Sequence, residues 1–62
     1  MIVYYKLFDM LMRRNMKPSA LLAVISSPTL GKLRRNEIVR TDVLYRVCRF
    51  LRCQPGDIME VI

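Results

Sequence analysis

Val3, Leu7, Phe8 and Leu11 recur at helical spacing and share one face, with Lys6, Asp9 and Arg13 on the others. The pattern predicts a first helix from about Tyr4 to Arg14. Asn15 follows it, a residue that tolerates the left-handed backbone of a helix stop. Met1–Val3 has a second reading as extended chain, because Ile-Val-Tyr-Tyr has good strand propensity. Pro18 and Ser19 open a short second helix over Ala20–Val24, apolar almost all round, which predicts burial on most sides. Ser26-Ser27-Pro28 breaks it and starts a third helix. Ser27 suits the cap with Pro28 in the first helical position, and Ser26 serves nearly as well. Leu30 and Leu33 give that helix one buried stripe, with Thr29, Lys32 and Arg35 off it.

Asn36–Arg40 reads as a loop. Thr41 then caps a fourth helix, with Asp42 complementing the positive end of its dipole. Leu44, Val47, Cys48 and Leu51 form its core face, and Arg46, Arg49 and Arg52 lie on or near the opposite side. Gln54-Pro55-Gly56-Asp57 is a turn into a last short helix whose expected buried residues are Ile58, Val61 and Ile62. The expected architecture is therefore all-α, five short helices clustered around one core.

At 62 residues the chain is one domain, residues 1–62. A domain of roughly this length buries only about 60% of the surface its unfolded chain exposes, so pairing with a second copy is a natural way to bury more. The apolar ends, Met1–Tyr5 and Ile58–Ile62, are the expected seams of a homodimer. The start at Met1 and the still apolar finish read as a whole domain. Met10, Met12 and Met16 are expected to fill the core edge or the dimer seam.

Eleven basic against five acidic side chains give a net charge of +6. That predicts attraction to polyanions, either nucleic acid or anionic lipid, and says nothing about fold. Cys48 and Cys53 sit among apolar residues with no His to complete a zinc site, and they read as two buried free thiols in a reducing cytoplasm. Met1–Tyr5 lacks the charged start of a signal peptide, and the longest apolar run, Ala20–Ile25, is too short to span a bilayer. The expectation is a cytoplasmic protein with no membrane role. Without His, a nucleophile–base pair or a glycine-rich phosphate loop, nothing points to an enzyme, a metal or another cofactor. No small-molecule ligand is indicated.

Two short helices joined by a tight turn, with polar and basic residues on the second, outline a helix-turn-helix. In that arrangement the start of the second helix meets base edges in the major groove. Ser26, Ser27, Thr29 and Lys32 occupy that place, followed by Arg34 and Arg35. Short hydroxyls reach bases or phosphates, and long cations reach guanines or the backbone. Read blandly, the serines are only caps and the basic residues a solvated face.

The chain resembles the small Cro/cI-type (XRE-like) helix-turn-helix transcriptional regulators. The residues that carry the resemblance are Met1-Ile2-Val3-Tyr4 with Leu7, then Ile25-Ser26-Ser27, Thr29-Leu30, Lys32-Leu33 and Asn36-Glu37. Near the end they are Val43-Leu44, Cys48, Leu51, Cys53 and the specific closing segment Gly56-Asp57-Ile58-Met59-Glu60. The resemblance implies a lambda-repressor-like fold of five helices, the third being the recognition helix, acting as a dimer on a palindromic operator. It implies double-stranded DNA as partner, with contacts from Ser26, Ser27, Pro28, Thr29 and Lys32. Arg34, Arg35 and Arg40 are the implied phosphate anchors, and Lys17 and Ser19 complete the expected set. The chain departs from the family pattern before Ile25. Leu21-Leu22-Ala23-Val24 runs into Ile25 about two residues short and without the customary glycine, so a shortened second helix is expected. Pro28 at the start of the recognition helix is a second oddity, since it removes a backbone donor that could face a phosphate. Gly31 inside that helix also costs roughly 1 kcal/mol relative to Ala. The shortened second helix and Pro28 favour the competing reading, a protein–protein module (antitoxin-like or anti-repressor) on a degenerate helix-turn-helix. A cationic membrane-surface peptide is a third reading, and several separately capped helices argue against it.

Overall fold

A computed structural model describes all of residues 1–62. In chain order it contains β1 (Ile2–Val3), α1 (Tyr5–Arg13), a 3-10 helix (Pro18–Ala23), α2 (Ser27–Arg34), α3 (Thr41–Leu51), a 3-10 turn (Pro55–Asp57) and β2 (Glu60–Val61). The expected first, third and fourth helices are α1, α2 and α3, and the core stripe of each is where the periodicity put it. Leu7 and Leu11, Leu30 and Leu33, and Val47, Cys48 and Leu51 are buried together with Leu21 and Ile58. No charged or polar side chain is buried among them.

Two expectations are corrected at the ends. The fifth helix does not form: a three-residue 3-10 turn leads into β2, which pairs antiparallel with β1 in the register Ile2↔Val61 and Val3↔Glu60. The fold is thus helical with a small ribbon, four helices and one turn. Met1–Val3 takes the extended alternative. The terminal ammonium of Met1 donates to the Ile62 carbonyl at 2.8 Å, and the Ile62 N–H returns a bond to Met1. Ile58 is buried as expected, but Val61 and Ile62 are 75% and 65% exposed. Successive strand side chains point to opposite sides, so the exposure of both means that the ribbon is uncovered on both faces at this end.

The second helix is corrected in kind. Pro18–Ala23 is 3-10, and only Leu21 is buried; Leu22 is 45% exposed and Ala23 faces solvent. With three residues per turn, one residue in three can face the core. The 3-10 form also makes this helix longer than its residue count suggests. Six residues at about 2.0 Å span roughly 12 Å, the length of an α-helix two residues longer.

All three α-helices stop in the same way. A residue in the left-handed region follows each, Asn15, Asn36 and Arg52, with φ of 57°, 56° and 55°. The next N–H reaches back five residues: Met16 to Leu11 at 2.8 Å, Glu37 to Lys32 at 2.9 Å, and Cys53 to Cys48 at 3.0 Å. These are Schellman stops, which satisfy carbonyls that the helix end would leave bare. Among the expected methionines, Met10 and Met16 pack on the core edge, whereas Met12 is exposed. No helix is long and apolar enough to cross a membrane.

Candidate nucleic-acid interface

The 3-10 helix and α2 meet through Ile25, which is buried between them. The chain turns there with Val24 at φ −127°, ψ −15° and Ser26 at φ −81°, ψ 161°. Neither angle is left-handed, so the turn has no need of the glycine the family usually places before it. Ser26, not Ser27, is the cap. Its Oγ accepts from the Thr29 N–H at 3.4 Å and lies 2.9 Å from the Thr29 hydroxyl. Pro28 falls in the first turn of α2, where its missing N–H breaks no helical bond.

With Leu30 and Leu33 fixing the inner side of α2, helical geometry sends Pro28, Gly31, Lys32 and Arg35 outward, with Ser27 and Arg34 beside them. Ser27, Pro28, Lys32, Arg34 and Arg35 are all exposed. Arg35 folds back over its own helix. Its guanidinium pairs with Glu37, and a Cβ built on Gly31 would meet Arg35 Nη1 at 3.2 Å. Lys32 and Arg34 pair with no carboxylate, and Glu37 is the sole acidic residue between Asp9 and Asp42.

The remaining candidate residues lie at the starts of other elements. Lys17 is the exposed cap of the 3-10 helix, and Ser19 is exposed in its first turn. Arg40 takes the cap position of α3 in place of Thr41, which moves one residue into the helix, and its guanidinium pairs with Asp42 at 3.2 Å. The expected residues thus separate by what already holds them. Ser26 and Thr29 bind one another, Arg35 and Arg40 have carboxylate partners, and Ser27, Lys32 and Arg34 are uncommitted.

Three further residues matter that the spacing of charges did not single out. Asn36 closes α2 and accepts the Tyr4 N–H on Oδ1 at 3.0 Å, while the Tyr4 hydroxyl donates to the Glu37 carbonyl at 2.9 Å. Burial of Tyr4 pushes its phenol above the ordinary value. These bonds tie the end of α2 to the start of α1. Arg14 links α1 to α3 by donating to the Leu51 carbonyl at 2.7 Å. An Arg-Arg-Asn sequence at the end of both α1 and α2 was the available signal for Asn36.

A short helix, a turn and a second helix with a polar, basic outer side make up a helix-turn-helix. Residues 6–62 match the Cro/C1-type HTH DNA-binding domain, and the chain belongs to that family. It is similar to the transcriptional regulator VanUg in a crystal structure (form II), at 41% identity and a TM-score of 0.94. The match covers 98% of this chain and 84% of that one. No curated protein matches the chain.

Proposed function

We propose that this chain binds double-stranded DNA sequence-specifically and regulates transcription as a repressor, with α2 in the major groove. One observation carries the reading. Lys32 stands exposed and uncommitted opposite the side that Leu30 and Leu33 lock into the core, and Ser27 and Arg34 are exposed and uncommitted on the flank of the same helix. A recognition element needs that combination, rigid support behind and unsatisfied donors in front. Lys32 is the groove-facing donor, Ser27 reads base edges, and Arg34 anchors phosphate. Lys17, Ser19 and Arg40 hold the backbone on either side.

The active form in this reading is a homodimer. Met1 and Ile62 exchange both of their backbone bonds, so in an antiparallel ladder Ile2 and Val61 point their N–H and C=O groups outward. Two copies pairing across Val61 would extend the ribbon to four strands and cover Val61 and Ile62. The test is fluorescence anisotropy of the chain on random duplex DNA over a salt series. Six to eight neutralised phosphates predict a log–log slope of about −5 to −7. Selection from the same pool should yield a palindrome, and sedimentation should show a dimer that Val61→Pro dissociates. A salt-independent signal, or full affinity in Lys32→Ala, would sink the groove-binding mechanism.

A further inference from the structure

The end of α3 brings the protein's two cysteines together. Both are free thiols, Cys48 buried in the last turns of the helix and Cys53 half-buried just beyond it. The Schellman stop at Arg52 folds the chain back until the Cys53 N–H donates to the Cys48 carbonyl at 3.0 Å. Side chains at these two positions of that motif come into contact. The thiols sense each other here: burial first, and then Cys53 beside it, pushes Cys48 up to about 11. Both line an open groove of about 620 Å³ along one flank of α3, with Leu44, Tyr45, Arg49 and Arg52 also lining it. No carboxylate lines this groove. Arg49 is held in place by a 2.9 Å bond to the Tyr45 hydroxyl.

We propose that this groove is a thiol–disulfide exchange site, at which Cys48 and Cys53 form a reversible disulfide with a small anionic disulfide as the oxidant. Cys53, the more exposed thiol, releases its proton to solvent, and its thiolate attacks one sulfur of the incoming disulfide. That S–S bond breaks, a Cys53 mixed disulfide forms, and one small thiolate leaves. Cys48 then gives up its proton, attacks the Cys53 sulfur and expels the second small thiolate. The chain loses two electrons and two protons, and the small disulfide is reduced to two thiols. Arg49 and Arg52 draw the anionic reagent to the groove. Because the thiolate is the nucleophile, the buried Cys48 makes the second step the slow one at neutral pH. The product staples the last turn of α3 to the segment that leads into β2.

The experiment exposes the reduced full chain to oxidised glutathione, traps free thiols by alkylation at intervals, and weighs the intact protein. The expected end product is a single chain two hydrogen atoms lighter, reached through a transient glutathione adduct and reversed by reduced glutathione. Cys48→Ala should halt at one glutathione on Cys53, and Cys53→Ala should stay unmodified over the same interval, each checked for the native circular dichroism spectrum. At low salt Arg49→Gln should slow the first step roughly threefold with glutathione disulfide and leave the rate with neutral hydroxyethyl disulfide unchanged. A wild-type chain that keeps its glutathione adduct, or Cys53→Ala reacting as fast as wild type, would overturn the proposal. So would disulfides found only between chains.

Discussion

Helices α1 and α2 end on the same three residues, Arg13-Arg14-Asn15 and Arg34-Arg35-Asn36, and the two ends do different work. Both asparagines take the left-handed conformation, and both stops close with the same reach-back bond. At α1 both arginines are held by partners within the chain. Arg13 pairs with Asp9 at 3.0 Å, and Arg14 caps the carbonyl of Leu51 at the end of α3. At α2 it is the asparagine that carries the tertiary bond, to Tyr4, and Arg34 is left without a partner. One local sequence therefore gives one local stop. Which member of the triplet braces the fold depends on what the rest of the chain brings near it. An arginine at a helix end is also favourable against the negative dipole wherever it points, so the motif leaves the side chains free to be assigned by context.

The largest expected difference between the two stops is in stability. Asn15→Ala forces a Cβ-bearing residue with no local hydrogen bond into the left-handed region, at a cost of about 1 kcal/mol. Asn36→Ala adds the loss of the only side-chain partner of the Tyr4 N–H, bringing the total to about 2–3 kcal/mol. Urea denaturation of the two variants measures the gap, and equal losses would mean that the Tyr4 bond contributes nothing. Asn36→Gly should recover the backbone part alone.

Next comes the contrast between the arginines. Arg34→Ala should weaken duplex binding roughly fivefold, evenly across sequences, and lower the salt slope by about 1. Arg13→Ala breaks an exposed ion pair of about 0.5 kcal/mol or less and should leave DNA binding within twofold. If the two variants bind alike, the phosphate anchor lies elsewhere. Gly31→Ala should then separate stability from binding on α2 itself. It raises helix stability by up to about 1 kcal/mol, because the one close contact is with the movable end of Arg35. A methyl on the outward face should nonetheless weaken DNA binding if the backbone of α2 sits close to the groove.

The smallest effect is an alkaline pH dependence with two sources, Tyr4 against the end of α2 and Cys48 at the end of α3. The folded phenol of Tyr4 holds its proton more tightly than the unfolded one, so its stabilising contribution is complete below about pH 10 and fades as pH rises further. Cys48, raised to about 11 from an ordinary value of 9.0, has the same sign and begins to weaken the fold from about pH 9. Tyr4→Phe should remove only the upper part of this alkaline loss in thermal melts, and an unchanged profile would dismiss the phenol.

Local chemistry made much of the fold legible in advance. Leu7 and Leu11, Leu30 and Leu33, and Val47 and Leu51 could be placed inward from spacing alone, since a helix with one apolar face has one way to bury it. The Asn15 stop and the serine–proline start of α2 could be read the same way, and so could Ser27, Lys32 and Arg34 as surface candidates. What could not be read there was set by partners distant in sequence. Strands of two residues show no periodicity, and the ribbon exists because Met1 and Ile62 meet across the whole chain. The cap of α3 fell to Arg40 rather than Thr41, and the fate of each arginine followed from whether Asp9, Glu37, Asp42 or the Leu51 carbonyl lay within reach. Periodicity and local chemistry placed α1, α2 and α3, the Asn15 stop and the core stripe of each helix, because those follow from backbone conformation and the burial of one apolar face. The ribbon, the 3-10 form of the second helix and the choice of which cations remain uncommitted came from the folded arrangement, because hydrogen bonds and ion pairs form between groups that folding alone brings together.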